Sequence, residues 1–159
     1  MAEFSGQLAP VGRIGIVVSR YHERITIRLL EGARNCCREA GIAPDDVDVV
    51  WVPGAFELGS ALAALAGTGR YAALVALGVV IRGETPHFDY VAGEAARAAG
   101  TLASARGLPV GFGLLTVETV EQATARAGGA AGNKGHEAAE AAIRTADVLR
   151  RVVGHDAPG

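Results

Sequence analysis

The apolar positions of this chain fall into short unbroken runs, separated by stretches in which they recur every three or four residues. Residues 13–18 (RIGIVV), 47–52 (VDVVWV), 72–80 (AALVALGVV) and 109–115 (PVGFGLL) are runs of strand length. They are too uniformly apolar to have one wet face, which predicts strands buried on both sides. After the first run, Ile25, Leu29, Ala33, Cys36, Cys37 and Ala40 lie on one face of a helix that Gly41 closes. Pro53-Gly54 breaks the second strand, and residues 55–66 (AFELGSALAALA) predict a second helix closed by Gly67-Thr68-Gly69. Thr85 as cap and Pro86 as first helical residue open a third helix to about Arg106. A short helix over 118–126, a turn over 127–132 and a last helix over 133–153 complete the pattern.

Alternating strands and helices predict an α/β fold, a three-layer α/β/α sandwich of flavodoxin-like type with a four-stranded, mainly parallel sheet. The expected organisation is an N-terminal arm (1–12), one domain (13–154) and a C-terminal tail (155–159). Ligands of such sheets sit beyond the carboxyl ends of the strands. That directs attention to residues 19–24, 53–57, 79–87 and those from 116 onward.

Composition narrows the partners. The chain has 159 residues, half of them hydrophobic and 20% charged. A mean hydropathy of +0.26 excludes a disordered chain and leaves apolar surface for a subunit interface. Its 31 alanines and 22 glycines, a third of the chain, allow helices to approach a sheet or one another closely. A net charge of −2 without a basic stripe argues against nucleic acid and anionic membranes, so a small molecule is the expected partner. Fourteen of the basic residues are Arg and only Lys134 is Lys. Cys36 and Cys37 are adjacent, an arrangement that rarely closes a disulfide, and no other cysteine is present. With no apolar leader or spanning run, the expected compartment is the reducing cytoplasm.

The chemistry-bearing residues cluster at the predicted strand ends. In GVVIRGETPHFDYV (residues 78–91), the backbone N–H groups of Gly83, Glu84 and Thr85 precede a helix start, and such a junction suits an anion such as phosphate. His87 falls in the first turn of that helix, where an imidazole can give and take a proton near neutral pH. The plain alternative is a half-buried histidine at a strand–loop–helix junction. In PGAFE (residues 53–57), Phe56 offers a flat apolar face and Glu57 a carboxylate acceptor, although the segment alone is an ordinary helix start. Tyr21, just past the first strand, can stack on a planar ring or merely cover the sheet end. Arg126 and Lys134 read either as ordinary residues at helix ends or as a phosphate clamp. Gly111-Phe112-Gly113 mimics part of a dinucleotide fingerprint but lies within a strand, and Asn133 before Lys134 rules out a Walker loop.

With VPGAFEL (52–58), GVVIRGETPHFDYV, PVGFGLLT (109–116), EQATARAG (121–128) and GNKGHEAA (132–139) in order, the chain closely resembles the 6,7-dimethyl-8-ribityllumazine synthase family. The resemblance implies condensation of 5-amino-6-(D-ribitylamino)uracil with 3,4-dihydroxy-2-butanone 4-phosphate, releasing phosphate and water, with no metal or redox cofactor. By position, Tyr21 would stack on the pyrimidine, while Ala55, Phe56, Glu57, Val79, Val80 and Ile81 would line the pyrimidine and ribityl pocket. Phe112 would close that pocket from a neighbouring subunit. Gly83, Glu84, Thr85 and Arg126 would hold the phosphate, His87 would shuttle protons and Lys134 would lie nearby. The family forms homopentamers, some of them assembled into 60-subunit shells, and the compact AGGAAGNKG turn resembles the shell formers. Two positions depart from its pattern: Tyr21, where Phe or Trp is usual, and Gly59, where Pro is usual. Two other classes share the fold, a lumazine- or flavin-binding paralogue for storage or signalling and a purely structural shell subunit. Neither needs Thr85 and Arg126 beside His87.

Overall fold

The computed structural model describes residues 1–155. Its sheet contains β1 (Ile14–Ser19), β2 (Val47–Val52), β3 (Ala73–Ile81) and β4 (Val110–Val117) in the order β2-β1-β3-β4, every pair parallel. The helices are α1 (Glu23–Glu39), α2 (Leu58–Gly67), α3 (His87–Arg106), α4 (Val120–Ala125) and α5 (Lys134–Gly154). Ile14, Ile16, Val18, Ala73, Val75, Leu77 and Val79 pack on the α1 and α5 side of the sheet. Val17, Leu74, Ala76 and Val80 pack on the α2 and α3 side. Both faces are covered, so the strands carry no polar alternation and read as continuous apolar runs. This is the three-layer α/β/α sandwich of flavodoxin-like type, with a wholly parallel main sheet.

Small residues set the spacing of the α1/α5 layer. A Cβ at Gly111 on β4 would collide with the carbonyl of Ala138 on α5, and a Cβ at Gly135 with the carbonyl of Leu29 on α1. The Gly-Phe-Gly of β4 therefore serves close helix–sheet contact.

Three details differ from the pattern expected of the sequence. Residues Ala55–Glu57 form a separate 3-10 turn ahead of α2. Pro86, at φ −72° and ψ 5°, takes the cap position of α3, which has no side-chain cap hydrogen bond; Thr85 thus does not cap it, and the helix begins at His87. The expected turn over 127–132 is part of a small antiparallel hairpin, β5 (Ala127–Gly129) and β6 (Gly132–Asn133). Asn133 then caps α5, its Oδ1 accepting from the N–H groups of Gly135 (2.8 Å) and His136 (3.1 Å). Residues 156–159 of the expected tail lie outside the described residues.

The first residues run along α5. The N–H of Gln7 donates to Asp147 Oδ2 (2.9 Å), and Arg144 Nη1 donates to the Gly6 carbonyl (3.2 Å). Asp147 is fully buried and also accepts from Arg150 Nη2 (2.6 Å) and Arg151 Nε (3.0 Å). The Gln7 N–H above all, then the two guanidinium groups, hold its carboxyl below the ordinary carboxylate range. A carboxylate shifted this way stabilises the fold fully above its unfolded value of about 3.9, and the contribution is lost as pH falls through the folded value. Asp147→Asn should therefore lower the denaturation midpoint at neutral pH, with the gap to the parent protein narrowing as pH drops below about 4. A gap that does not change with pH would mean that the carboxylate's charge plays no part in holding the arm.

Candidate functional site

Three connections at the carboxyl end of the sheet, those after β1, β2 and β3, build the site. Past β1, His22 takes the left-handed region at φ 54°, the only non-glycine residue with positive φ among the described residues. Such a conformation costs roughly 1–3 kcal/mol and tends to be kept at functional sites. It sets the imidazole edge-on to Tyr21, with ring centroids 4.3 Å apart at 79°. Tyr21 itself remains 54% exposed.

Past β2, Pro53-Gly54 turns the chain and the Glu57 N–H donates to the Gly54 carbonyl (3.2 Å). This turn buries Ala55 and leaves Phe56 58% exposed. Past β3, residues 82–86 cross to His87 at the start of α3. The first turn of a helix leaves N–H groups without intrahelical partners, so this loop and the beginning of α3 present donors to an anion. Arg82 braces the crossing. Its guanidinium lies 4.4 Å from the Phe88 ring centroid and pairs with Asp89 (3.6 Å) and with Glu118 (3.1 Å) past β4.

These segments open into one cleft of about 730 Å³. Of the residues expected from the sequence, it brings together Tyr21, Ala55, Phe56, Glu57, Val79, Val80, Ile81, Gly83, Thr85 and His87. Glu84 sits on the exposed loop between β3 and α3 but does not line it. The cleft is also lined by Pro53, Gly54, Phe88, Tyr90 and Val91, which sequence reasoning did not assign. A signal for Val91 was present, since it lies one helical turn beyond His87.

Arg126 and Lys134 are elsewhere. With Thr116 and Val117 of β4 they line a second cleft of about 270 Å³ that shares no residue with the first. The β5–β6 hairpin joins them: the Lys134 N–H donates to the Arg126 carbonyl (2.8 Å), and Arg126 Nη1 donates to the Gln122 carbonyl (3.0 Å). Phe112 lines neither cleft and packs, partly buried, on the α2/α3 side of the sheet. No helix among the described residues is long and apolar enough to cross a membrane.

The large cleft thus offers aromatic faces, a carboxylate acceptor, an imidazole and helix-start donors, while the cations suited to an anionic group lie on another side of the same chain. Residues 12–150 match the sequence family described as 6,7-dimethyl-8-ribityllumazine synthase. A protein of Gemmatimonas aurantiaca, named 6,7-dimethyl-8-ribityllumazine synthase, is 51% identical over 156 residues, covering 96% of this chain and 94% of that protein.

Proposed function

The chain belongs to the 6,7-dimethyl-8-ribityllumazine synthase family, and from that premise we propose that its large cleft is one half of an active site whose other half is the Arg126 cleft of a neighbouring copy. The reaction is the condensation of 5-amino-6-(D-ribitylamino)uracil with 3,4-dihydroxy-2-butanone 4-phosphate to 6,7-dimethyl-8-ribityllumazine, with release of phosphate and water. On this reading residues 13–154 are the catalytic unit. The observation that carries it is the separation of the two clefts within one chain.

Tyr21 and Phe56 sandwich or cover the pyrimidine, Glu57 accepts from its polar hydrogens or from ribityl hydroxyls, and Ala55 with Val79, Val80 and Ile81 walls the pocket. Gly83, Glu84 and Thr85 present the phosphate-binding loop, and Arg126 of the neighbour supplies the charge that Thr85 lacks, with Lys134 beside it. Phe112 of the neighbour closes the pocket. The exposure of Tyr21, Phe56 and Tyr90 (73%) around one opening supports a covering subunit, since exposed aromatic clusters mark interaction surfaces. A cyclic pentamer supplies it, alone or within a 60-subunit shell, because each ring contact is head-to-tail and joins one half-site to the next. The unpaired, buried Cys36 and Cys37 support a cytoplasmic setting.

The chemistry needs mainly positioning. Imine formation between the 5-amino group and the ketone, phosphate elimination and ring closure are accessible once the partners are held together. His87 transfers protons in the first two steps, and the anion site stabilises the departing phosphate. A ligand-storing paralogue is not favoured, because storage needs no proton shuttle beside a phosphate loop.

Purified protein given both substrates should form fluorescent lumazine well above the spontaneous rate, unchanged by chelator. Turnover no faster than the spontaneous rate, with ligand binding intact, would favour the storage function instead.

A further inference from the structure

We propose that Cys36, Glu39 and His136 form a binding site for a divalent transition-metal ion of the zinc type, at the contact of α1 with the first turn of α5. Cys36 and Glu39 are three residues apart on α1 and so share a face. His136 meets that face from α5, its backbone fixed by the Asn133 cap. One ligand atom from each residue lies within 4.8 Å of the other two, and His136 Nε2 is 2.8 Å from Glu39 Oε2. Zinc held at about 2.0–2.3 Å by each of several ligands keeps those ligands roughly 3–4 Å from one another, so only a small inward movement of the thiol is needed.

The donor set selects the ion. A thiolate, an imidazole and a carboxylate suit zinc or cobalt, whereas magnesium and calcium require oxygen ligands throughout. The surroundings favour a cation as well. Besides Cys37, the carboxylates of Glu39 and Glu140 act on the Cys36 sulfur, with Arg144 as the opposing positive charge. Binding the ion releases the thiol proton to solvent as the S–H bond breaks. The Nε2–H that faces Glu39 gives up its proton to solvent, while the neutral ring carries its hydrogen on Nδ1, or takes one there if it had none. The sulfur, Nε2 and a Glu39 carboxylate oxygen then each give an electron pair to the ion. A cavity of about 550 Å³ reaches Glu39 and His136, with Asn35 and Glu137 beside them, and leaves room there for water as a further ligand, while Cys36 is fully buried and does not line it. It shares no residue with the large cleft, and only Glu137 with the Arg126 cleft.

The competing possibility is that Glu39 and His136 are only an ion pair over an inert core thiol. To separate the two, the full chain is stripped with chelator and titrated with cobalt(II), then with zinc(II). We expect saturable binding of one cobalt per chain, a thiolate-to-cobalt charge-transfer band, and loss of the band when zinc displaces it. Cys36→Ser should abolish the band and Cys37→Ser should preserve it. His136→Ala, at a partly exposed position, should retain the fold and weaken binding by more than the roughly 10–100-fold that loss of an outer-shell partner costs. It decides the matter even if Cys36→Ser fails to fold. No saturable binding, binding without a thiolate band, a band that survives Cys36→Ser, or undiminished binding by His136→Ala would overturn the site.

Discussion

Turnover by His87→Ala protein should fall by up to about 10²–10⁴, with little change in the Michaelis constants, because general acid–base assistance acts on the transition state and not on ground-state binding. His87 is the imidazole of the large cleft and the first residue of α3. The lower part of the range applies where positioned substrates already react readily. Arg126→Ala should act differently, chiefly raising the Michaelis constant for the butanone phosphate. The pair also tests where the site lies. If each variant is near background alone and the two are unfolded and reassembled in equal amounts, an intact site needs His87 from one chain and Arg126 from its neighbour. Random mixing gives that combination with probability one half times one half, so about a quarter of the sites should recover. A co-assembled mixture no more active than its components would refute the shared site.

Gly135→Ala should be severely destabilising although it adds a single methyl group. Its Cβ would drive into the Leu29 carbonyl and the backbone around it. A colliding side chain can turn aside, but backbone cannot, so α1 and α5 would have to separate along a contact that also bears on β4. Overpacking of well-packed interiors typically costs about 1–3 kcal/mol, and a clash with main-chain atoms belongs at or above the top of that range. Gly67→Ala is the control, since nothing lies within 4 Å of that Cβ and its φ is not positive. It should leave stability unchanged or raise it by up to about 1 kcal/mol. Comparison of denaturant midpoints checks both, and a Gly135→Ala protein as stable as Gly67→Ala would show that the layers yield more readily than the contact implies.

Much of this architecture is legible in the sequence because both faces of the sheet are covered. Residues 47–52 and 72–80 need no alternation to be read as strands, and the spacing of Leu29, Ala33 and Cys36 marks the buried face of α1. The large cleft is legible for a similar reason: PGAFE and RGETPH each immediately follow a strand. What escapes the pattern depends on contacts remote in sequence or on elements too short to be periodic. The hairpin pairs three residues with two, using Gly128 at φ 96° and Gly132 at φ 86°, and such a stretch reads only as a turn. Thr85 is the better capping residue by type, yet Pro86 holds the cap position, which no local preference announces. Cys36 and His136 are separated by most of the chain, so no spacing motif joins them. Nothing about the polar Gln7 suggests that its N–H meets a carboxylate buried on the last helix.

The position of Lys134 matters for chemical labelling. It carries the only side-chain amine of the sequence, and it is exposed at the rim of the Arg126 cleft. In most proteins an acylating reagent decorates the whole surface, because lysines are scattered over it. Here the arginines that replace them are inert to such reagents, so a fluorophore or crosslinker aimed at amines has this cleft and the chain's N-terminus as its targets. A composition of fourteen arginines and one lysine thus makes the protein addressable at the rim of one cleft, besides its N-terminus, without any engineered handle.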